Sequence, residues 1–510
     1  MLPAGKQRES YPRPIPEHFF SFRSRAKISA MAFRDLRDFI NELERRGWLK
    51  RVRAEVSPEL EISEVYDRVV KRAGPALLFE KVRGSRFPVL VNAFGSNQRM
   101  ALALGSENLE QVAGRFLELA NTPIPEGVLD KARLLPRLYE LAKIPPRTVN
   151  QAPCQEVVVK EPDLSILPAL KCWPGDGGKF LTLPIVLTKS PKTGTRNLGM
   201  YRMHIYDSRT TGMHWHWHKG GAQHYREAEE TGKRLPVAVA LGGPPALVYA
   251  STAPVPEGID EYLFAGFLQG EPVEIVKAKT VELEVPAGAE FILEGYVEPG
   301  ERRLEGPFGD HTGYYSLADH YPVFHLTALT HRKDAIYPAT VVGRPPMEDC
   351  FFGKATERIF LVALKKLFPE IVDLNLPLEG IFHNYAFVSI DKRYPGHAYR
   401  IMYSLWGMGQ MMFTKWIVVF DKEVNVQDIS EVLWRLGNNL DPGRDIIFVK
   451  GPADVLDHAA PLTGLGTKVG IDATRKWKEE GFEREWPEEI KMSDEVKAMV
   501  IRRWKEYGID

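Results

Sequence analysis

Two short stretches of this chain concentrate side chains that could do chemistry. The first runs Asn197-Leu-Gly-Met-Tyr-Arg202 and resumes at Met213-His-Trp-His-Trp-His-Lys-Gly-Gly221. In an extended strand alternate residues share a face, so His214, His216 and His218 would point one way and Trp215 and Trp217 the other. Such a face offers imidazole ligands to a metal or a polar lining to a ligand; the plainer alternative is a solvated His face over a buried Trp face. Lys219 and the following Gly220-Gly221 would set a cation and free backbone N–H groups beside an anion such as phosphate. A zinc enzyme has weaker support, because the chain has neither an HExxH helix nor paired cysteines.

The second stretch is Glu305-Gly-Pro-Phe-Gly-Asp310-His-Thr-Gly-Tyr-Tyr315, preceded by Glu294-Gly-Tyr. A turn rich in Gly and Pro can fold Glu305 and Asp310 toward one point. Neighbouring carboxylates raise one another's proton affinity, so one can stay protonated near neutrality and act as an acid. A nearby arginine would counter that shift and could orient a substrate carboxylate bidentately. Read alone, the stretch is also an ordinary surface loop. A third candidate is Glu261, at the start of a helix, where an acid usually serves as a cap or dipole partner. The preceding turn, Ala250-Ser-Thr-Ala253, supplies carbonyls that could bind a cation.

The elements that must position these residues fall into blocks. The segment 1–30 reads as a flexible tail or an upstream start, since Met31 immediately precedes an amphipathic helix (Phe33, Leu36, Phe39, Ile40, Leu43). Residues 31–150 alternate: helices to Trp48, from Glu59 to Lys71, at Leu109–Leu119 and at Leu129–Leu141, with β-rich runs at Leu77–Val82 and Pro88–Phe94. This predicts a small α/β domain, ending in a Pro-Pro connection near Lys143–Pro153. Residues 151–340 change to short strands separated by Gly and Pro turns, among them Pro184–Thr188, Met200–Tyr206, Val237–Leu241, Phe291–Val297 and Val323–Thr330. Many short strands with few helices predict a closed or folded β structure. Residues 341–490 return to alternation, with helices 354–368, 397–411 and 428–438 and strands 384–390, 416–420 and 446–450. A C-terminal helix occupies 491–510, in a tail whose Trp477, Trp486 and Trp504 suit packing on a neighbouring subunit.

Bulk properties narrow the function classes. A chain of 510 residues is too long for one compact core. Lys+Arg and Asp+Glu both number 67, so no net charge draws the protein to nucleic acid. The three cysteines, Cys154, Cys172 and Cys350, are too scattered for a disulfide framework or a zinc ribbon and fit a reducing compartment. No apolar run reaches the ~18 residues of a membrane span, and the first 30 residues lack a signal-peptide core. A cytoplasmic location is expected.

Together the motifs resemble the UbiD family of decarboxylases, which use prenylated FMN. The resemblance runs from Met31 nearly to the C-terminus. It rests on the order and spacing of Cys172-Trp-Pro-Gly-Asp, Asn197-Leu-Gly-Met-Tyr-Arg202, Glu261-Tyr-Leu-Phe-Ala-Gly266, Glu305 through Tyr315, Gly343-Arg-Pro-Pro346, and Gly464-Leu-Gly-Thr-Lys468 with Asp472-Ala-Thr474. It implies a multidomain α/β (α+β) protein with a central FMN-binding split β-barrel between N-terminal and C-terminal α/β domains, the last one mediating a dimer or hexamer.

By the same resemblance, Asn197, His218 and Glu261 match ligands of a divalent metal, usually manganese, and oxygen and imidazole donors suit such an ion. Ala250, Ser251 and Ala253 match a potassium site. Met200, Tyr201, Arg202, His214, Trp215, His216, Lys219 and Gly220 align with cofactor contacts. Arg202, Glu305 and Asp310 match the catalytic network, with Asp310 at the proton-donor position. The implied reaction is the reversible, non-oxidative loss of CO2 from an aromatic or α,β-unsaturated acid. Losing CO2 from an sp2 carbon leaves an unstabilised carbanion, and no side chain here is an electron sink, so the cofactor must be one. A flavin prenyltransferase would supply it. Quinone-pathway members carry Arg-Trp-Leu-Ser-His where this chain has His214-Trp-His-Trp-His218. A hydroxybenzoate-type acid of ubiquinone synthesis, polyprenylated and met at a membrane surface, is the expected substrate, with a menaquinone-route naphthoate next. Outside the class stand an FMN oxidoreductase, for which no Rossmann G-x-G-x-x-G follows a strand, and a non-enzymatic scaffold.

Overall fold

A computed structural model describes residues 32–120, 144–217, 219–255 and 258–509. The expected tail 1–30, the helix at Leu129–Leu141 and His218 lie outside them. The chain begins with helix α1 (Leu36–Arg45), whose Leu36, Phe39, Ile40 and Leu43 are buried. These recur at helical spacing, so one stripe faces the core. Asp35 caps the helix by accepting from Arg37 N and Asp38 N. Strand β1 (Leu49–Val56), helix α2 (Glu61–Val70), β2 (Ala76–Val82) and β3 (Val89–Val91) follow, then α3 (Asn97–Ala103) and α4 (Leu109–Ala120). β1 pairs with β2 in parallel and β3 with β2 antiparallel, and Tyr337–Pro338 returns from far along the chain to pair with β3. β1 is an addition to the expected elements: its middle alternates only weakly and is mostly exposed.

The central unit is built on an antiparallel sheet of β4 (Pro184–Lys189), β5 (Arg196–Met200), β6 (Thr210–Gly212), β7 (Leu235–Leu241), β8 (Phe291–Glu305) and β9 (Asp319–His331), ordered β6-β9-β8-β7-β4-β5, with Val157–Val158 added along β9. The sheet curls into a half-barrel. The curl has a local cause in the 15-residue β8, whose pairing to β9 shifts at Glu294/Gly295 and again between Val297 and Arg302. Such bulges bend and twist a strand pair. At the first, a side chain on Gly295 would sit 1.9 Å from the His325 carbonyl, so the approach requires glycine.

Both faces of this sheet are buried. Ile185, Leu187, Ala238, Ala240 and Ile292 join one cluster with α1 and α3, while Val186, Val237, Val239, Phe291 and Leu293 join another with α2 and β2. Each such side chain removed from water contributes about 1.5–3 kcal/mol. Three helices also belong here, α5 (Gly220–Thr231), α6 (Pro245–Ala250) and α7 (Glu261–Gln269). The strand-rich texture of the sequence concealed α5 and α6, whereas the start of α7 at Glu261 was expected.

The C-terminal unit has α8 (Glu348–Leu367), β10 (Ile371–Asn375), β11 (Tyr385–Ile390), α9 (His397–Trp406), β12 (Trp416–Asp421), α10 (Ile429–Asn439), β13 (Ile446–Pro452) and β14 (Leu465–Asp472), with sheet order β10-β11-β12-β14-β13. A final helix, α11 (Asp494–Arg503), buries none of its side chains in this chain. The molecule is therefore a multidomain mixture of helix and strand, as expected. Among the described residues no helix is long and apolar enough to cross a membrane.

Candidate active site

Arg202 leaves the end of β5, which the pairing Ile185↔Met200 fixes against β4. Glu305 is the last residue of β8, opposite Asp319 of β9. Asp310 follows a two-residue ladder, Phe308–Gly309 on Tyr315–Ser316, that closes the turn. These three side chains meet. The Arg202 guanidinium donates through Nε to Glu305 Oε1 at 3.0 Å, through Nη1 to Asp310 Oδ2, and through Nη2 to Ser316 Oγ at 3.0 Å. Its carbon lies 4.6 Å from the Phe308 ring centroid. His214 Nδ1 lies 2.6 Å from Glu305 Oε2, His216 Nε2 is 2.6 Å from His214 Nε2, and on the far side His311 Nδ1 is 2.8 Å from Asp310 Oδ1. The result is a continuous chain, His311–Asp310–Arg202–Glu305–His214–His216.

The electrostatics differ from the expectation for paired acids. Burial pushes the Glu305 carboxyl up, but His214 and Arg202 outweigh it and hold the pKa at about 2. Burial likewise opposes ionisation of Asp310, but His311 and Arg202 pull its pKa far below the usual carboxylate range. The two acids do not raise each other, because Arg202 stands between them and each has a histidine on its outer side. With nothing bound, Asp310 is an anion.

The acid turn is held by residues whose role the sequence did not disclose. Asp176, in the Cys172-Trp-Pro-Gly-Asp block, accepts from Cys172 N at 3.0 Å, Trp173 N at 2.8 Å and Gly309 N at 2.7 Å. Trp173 packs so close to Gly309 that a side chain there would lie 2.2 Å from its ring. His311, Ser316, Phe308 and Tyr321 were also missed; the ring of Tyr321 stacks 4.3 Å from that of His214. Its place beside Asp310 within the Glu305–Tyr315 stretch was the only sequence signal for His311. Glu294 lies elsewhere: its carboxylate accepts from Lys279 N and Thr280 N.

The segment Met213–Trp217 is not a sheet strand. His214 and His216 do share a side and Trp215 turns into the core, but Trp217 is 77% exposed. Among the described residues the segment has no partner strand to continue the alternation. Lys219 precedes α5, whose N-terminus has no side-chain cap. The part-buried Lys219 makes no ion pair among the described residues, and burial lowers its pKa. The buried Trp215 Nε1 has no hydrogen-bond partner among them either. An unpaired cation, an uncapped helix N-terminus and an orphaned indole N–H together fit a phosphate-bearing cofactor.

Behind this anchor, a side chain on Gly220 would lie 2.0 Å from Asn197 Oδ1. Glu261, in the first turn of α7, accepts from Leu198 N at 3.1 Å, and burial raises its pKa to about 7. Glu261 thus meets the backbone next to Asn197 in the chain, and a carboxylate and a side-chain amide oxygen are donors that suit a hard divalent cation. The Ala250–Ala253 turn abuts the same strand, the Ser251 carbonyl accepting from Met200 N at 3.0 Å. Ser251 Oγ donates to Val248 O, which leaves its lone pairs free for a cation. Met200 and Tyr201 line the intervening strand end, and Tyr201 Oη lies 3.4 Å from Asn197 Nδ2 and from Gly221 N.

Comparison with known proteins decides the class. Family models described as the N-terminal, Rift-related and C-terminal domains of 3-octaprenyl-4-hydroxybenzoate carboxy-lyase match residues 40–116, 147–345 and 350–473. The chain belongs to the UbiD family. A protein of Archaeoglobus fulgidus without an assigned function is 52% identical over 93% of this chain and 99% of its own length. The closed form of Sedimentibacter hydroxybenzoicus vanillic acid decarboxylase superposes with a TM-score of 0.80 at 30% identity, covering 95% of this chain and all of that one. An evolved dimeric form of the UbiD-class enzyme HmfF from Pelotomaculum thermopropionicum, in complex with prenylated FMN, gives 0.74 at 30% identity over 89% of this chain and 97% of that one. This UbiD chain is thus a carboxy-lyase of a flavin-dependent aromatic acid decarboxylase family. The oxidoreductase and scaffold alternatives give way.

Proposed function

We propose that this UbiD-family chain uses prenylated FMN to remove CO2, reversibly, from a hydroxybenzoate-type acid, and that its physiological substrate carries a polyprenyl chain on the way to ubiquinone. The observation that carries the reading is the burial of Arg202 between Glu305 and Asp310. When bound, prenylated FMN supplies the electron sink that no side chain offers.

The chain's own residues do the rest. Glu305, kept ionised by His214 and Arg202, holds the guanidinium in place. A substrate carboxylate arriving at Arg202 competes with Asp310 for Nη1, which weakens the pull on Asp310 and lets its proton affinity rise. Asp310 then carries a proton to the carbon that CO2 leaves. Phe308 and Tyr321 wall the site with rings and help exclude water. Lys219, Trp215, Gly220 and the N-terminus of α5 would hold the cofactor phosphate, with Met200, Tyr201, His214 and His216 along its body. Asn197 and Glu261, with His218, would hold Mn2+, and Ala250, Ser251 and Ala253 would hold K+.

One surface feature favours a substrate with an apolar tail. Leu304 and Leu317, which adjoin Glu305 and Ser316 in the chain, are 55% and 90% exposed. The same reading makes the protein cytoplasmic, supplied by a flavin prenyltransferase, and in contact with the membrane surface only where it meets a polyprenylated substrate. The exposed α11 supports assembly as a dimer or hexamer through the C-terminal unit.

The test is CO2 release by protein co-expressed with a flavin prenyltransferase. The substrates are 4-hydroxybenzoate, its 3-polyprenyl form and a hydroxynaphthoate. The polyprenyl acid should give the highest kcat/KM. A higher value for the naphthoate overturns the substrate assignment, and release from no aromatic acid overturns the reading itself.

A further inference from the structure

The hydrogen-bonded chain through Arg202 ends at His311, and the surroundings of that imidazole are unusual. Its Nδ1 and its backbone N–H both meet Asp310 Oδ1 at 2.8 Å, leaving Oδ2 to Arg202. Its Nε2 is buried and has no hydrogen-bond partner among the described residues, and the same is true of Asp349 Oδ2 at the start of α8. The ring is packed by the C-terminal unit: the Phe382 centroid is 5.2 Å away and that of His383 5.7 Å. Phe382 reaches this position on a costly backbone, for Ile381 and Phe382 are consecutive non-glycine residues at φ 46° and 54°. Consecutive left-handed residues persist only where surrounding structure enforces them, and such strain gathers at working sites. The enforcement is visible at Gly353 of α8, where any side chain would lie 2.4 Å from the Phe382 Cβ.

We propose that His311 is a positioning residue for the decarboxylation: its imidazolium fixes Asp310 Oδ1, aims Oδ2 at the reacting carbon, and restores the proton that Asp310 gives away. The proposal rests on the reading of Asp310 as the proton donor. In the step, the C–C bond to the carboxylate breaks and CO2 leaves. A proton from Asp310 forms the new C–H bond, the His311 Nδ1 proton passes to Asp310, and the neutral imidazole takes one proton from solvent. One proton is consumed per CO2 released, and no redox partner is needed.

The groups facing His311 are Asp310 on its own turn, Arg202 beyond it, Asp349 on α8, His383 before β11 and Asp454 after β13. Burial alone would strip the imidazolium, but Asp310, then Asp349 and Asp454, hold its pKa at about 9. Burial keeps His383 neutral, with its pKa at about 4, so it adds little opposing charge. The imidazolium is therefore present at neutral pH and lost as pH rises through about 9.

Two measurements test this. In the protein without flavin, the ring 15N shifts of His311, assigned by their absence in His311→Gln, should titrate near pH 9. In Asp310→Asn the titration should fall by at least one pH unit. A His311 that is neutral at pH 7 overturns the proposal whether or not any substrate turns over. In flavin-loaded protein, His311→Gln should lower kcat about 10- to 100-fold with KM within about threefold, and should remove the alkaline limb near pH 9. Hydrogen–deuterium exchange at the carbon of the product phenol that carried the carboxylate should slow by the same factor. A His311→Gln pH profile that superimposes on the parent overturns the proposal. Failure of the parent itself to release CO2 would instead sink the functional reading and leave the titration standing as a separate result.

Discussion

The acid turn and the cofactor anchor are built on opposite principles, although the strand end from Asn197 to Arg202 serves both. Around Arg202 every charge has a partner: two carboxylates and a hydroxyl take the guanidinium, and a histidine backs each carboxylate. Around Lys219 the polar groups lack partners among the described residues, and the helix behind it is uncapped. A buried polar group left unpaired costs stability, so the anchor is a place that a ligand completes. The acid turn pairs its guanidinium and both carboxylates, leaving only the outer His311 Nε2 unpartnered among the described residues, and a substrate must break into it. The difference predicts that substitutions in the turn damage the protein with nothing bound, whereas substitutions in the anchor show only when cofactor is offered.

Arg202→Ala should have the largest effect. It leaves Glu305 and Asp310 buried without their shared cation, a loss of about 3–5 kcal/mol. Urea unfolding of the flavin-free protein should register it, and activity should disappear. An unchanged midpoint would mean that the turn does not depend on its charges. Asp310→Asn comes next. The amide keeps the shape but carries no transferable proton, so kcat should fall by about 10²–10⁴ while flavin retention stays at the parental level. Parental turnover in this variant would remove Asp310 from the acid role.

Lys219→Ala reverses the pattern. With no ion pair to break among the described residues, the flavin-free midpoint should move by no more than about 0.5 kcal/mol. Losing a charge-assisted contact to phosphate is worth about 1.5–3 kcal/mol, so FMN should bind roughly 10- to 100-fold more weakly. Fluorescence titration with FMN checks this. Equal loss in both states would mean that Lys219 has a structural partner and the anchor is no more open than the turn.

How much of this was legible in the sequence follows the same divide. The continuous apolar runs at 184–188 and 237–241 announced strands buried on both faces, and the helical stripe of α1 announced its core face, because local apolar pattern records burial. Strand β14 was not announced: Gly464-Leu-Gly-Thr-Lys468 stood out only as a motif, and its pairing with β12 and β13 decides its form. Arg202, Glu305 and Asp310 were singled out by type and spacing, but their charge states were not. The two acids do not raise each other because Arg202 counters the effect, as expected of a nearby arginine; the expectation left out His214 and His311, whose positions depend on chain folding across some 90 residues and on the C-terminal unit. Asp176 belongs to a motif legible in the sequence, yet that it accepts from Gly309 N is a three-dimensional fact.

The two tryptophans flanking His216 give the smallest and most discriminating contrast. The strand expectation buries both on one face, whereas in the structure Trp215 is 6% and Trp217 77% exposed. Trp217 has one notable contact, the Arg226 guanidinium 4.7 Å from its ring centroid. An exposed cation–π pair is worth about 0.5–1 kcal/mol, so Trp217→Ala should cost no more than that and leave FMN affinity unchanged. Trp215→Phe should behave differently. Phenylalanine retains most of the packing against Tyr201 and Tyr225 and removes the orphaned indole N–H, so the flavin-free protein should be as stable as the parent or slightly more stable. If that N–H is part of the anchor, FMN affinity should drop about 5- to 10-fold, the worth of one neutral hydrogen bond. A variant that is more stable empty and weaker at binding identifies a group kept for the ligand. One that loses stability in both states identifies Trp215 as a packing residue of the core in which it is buried.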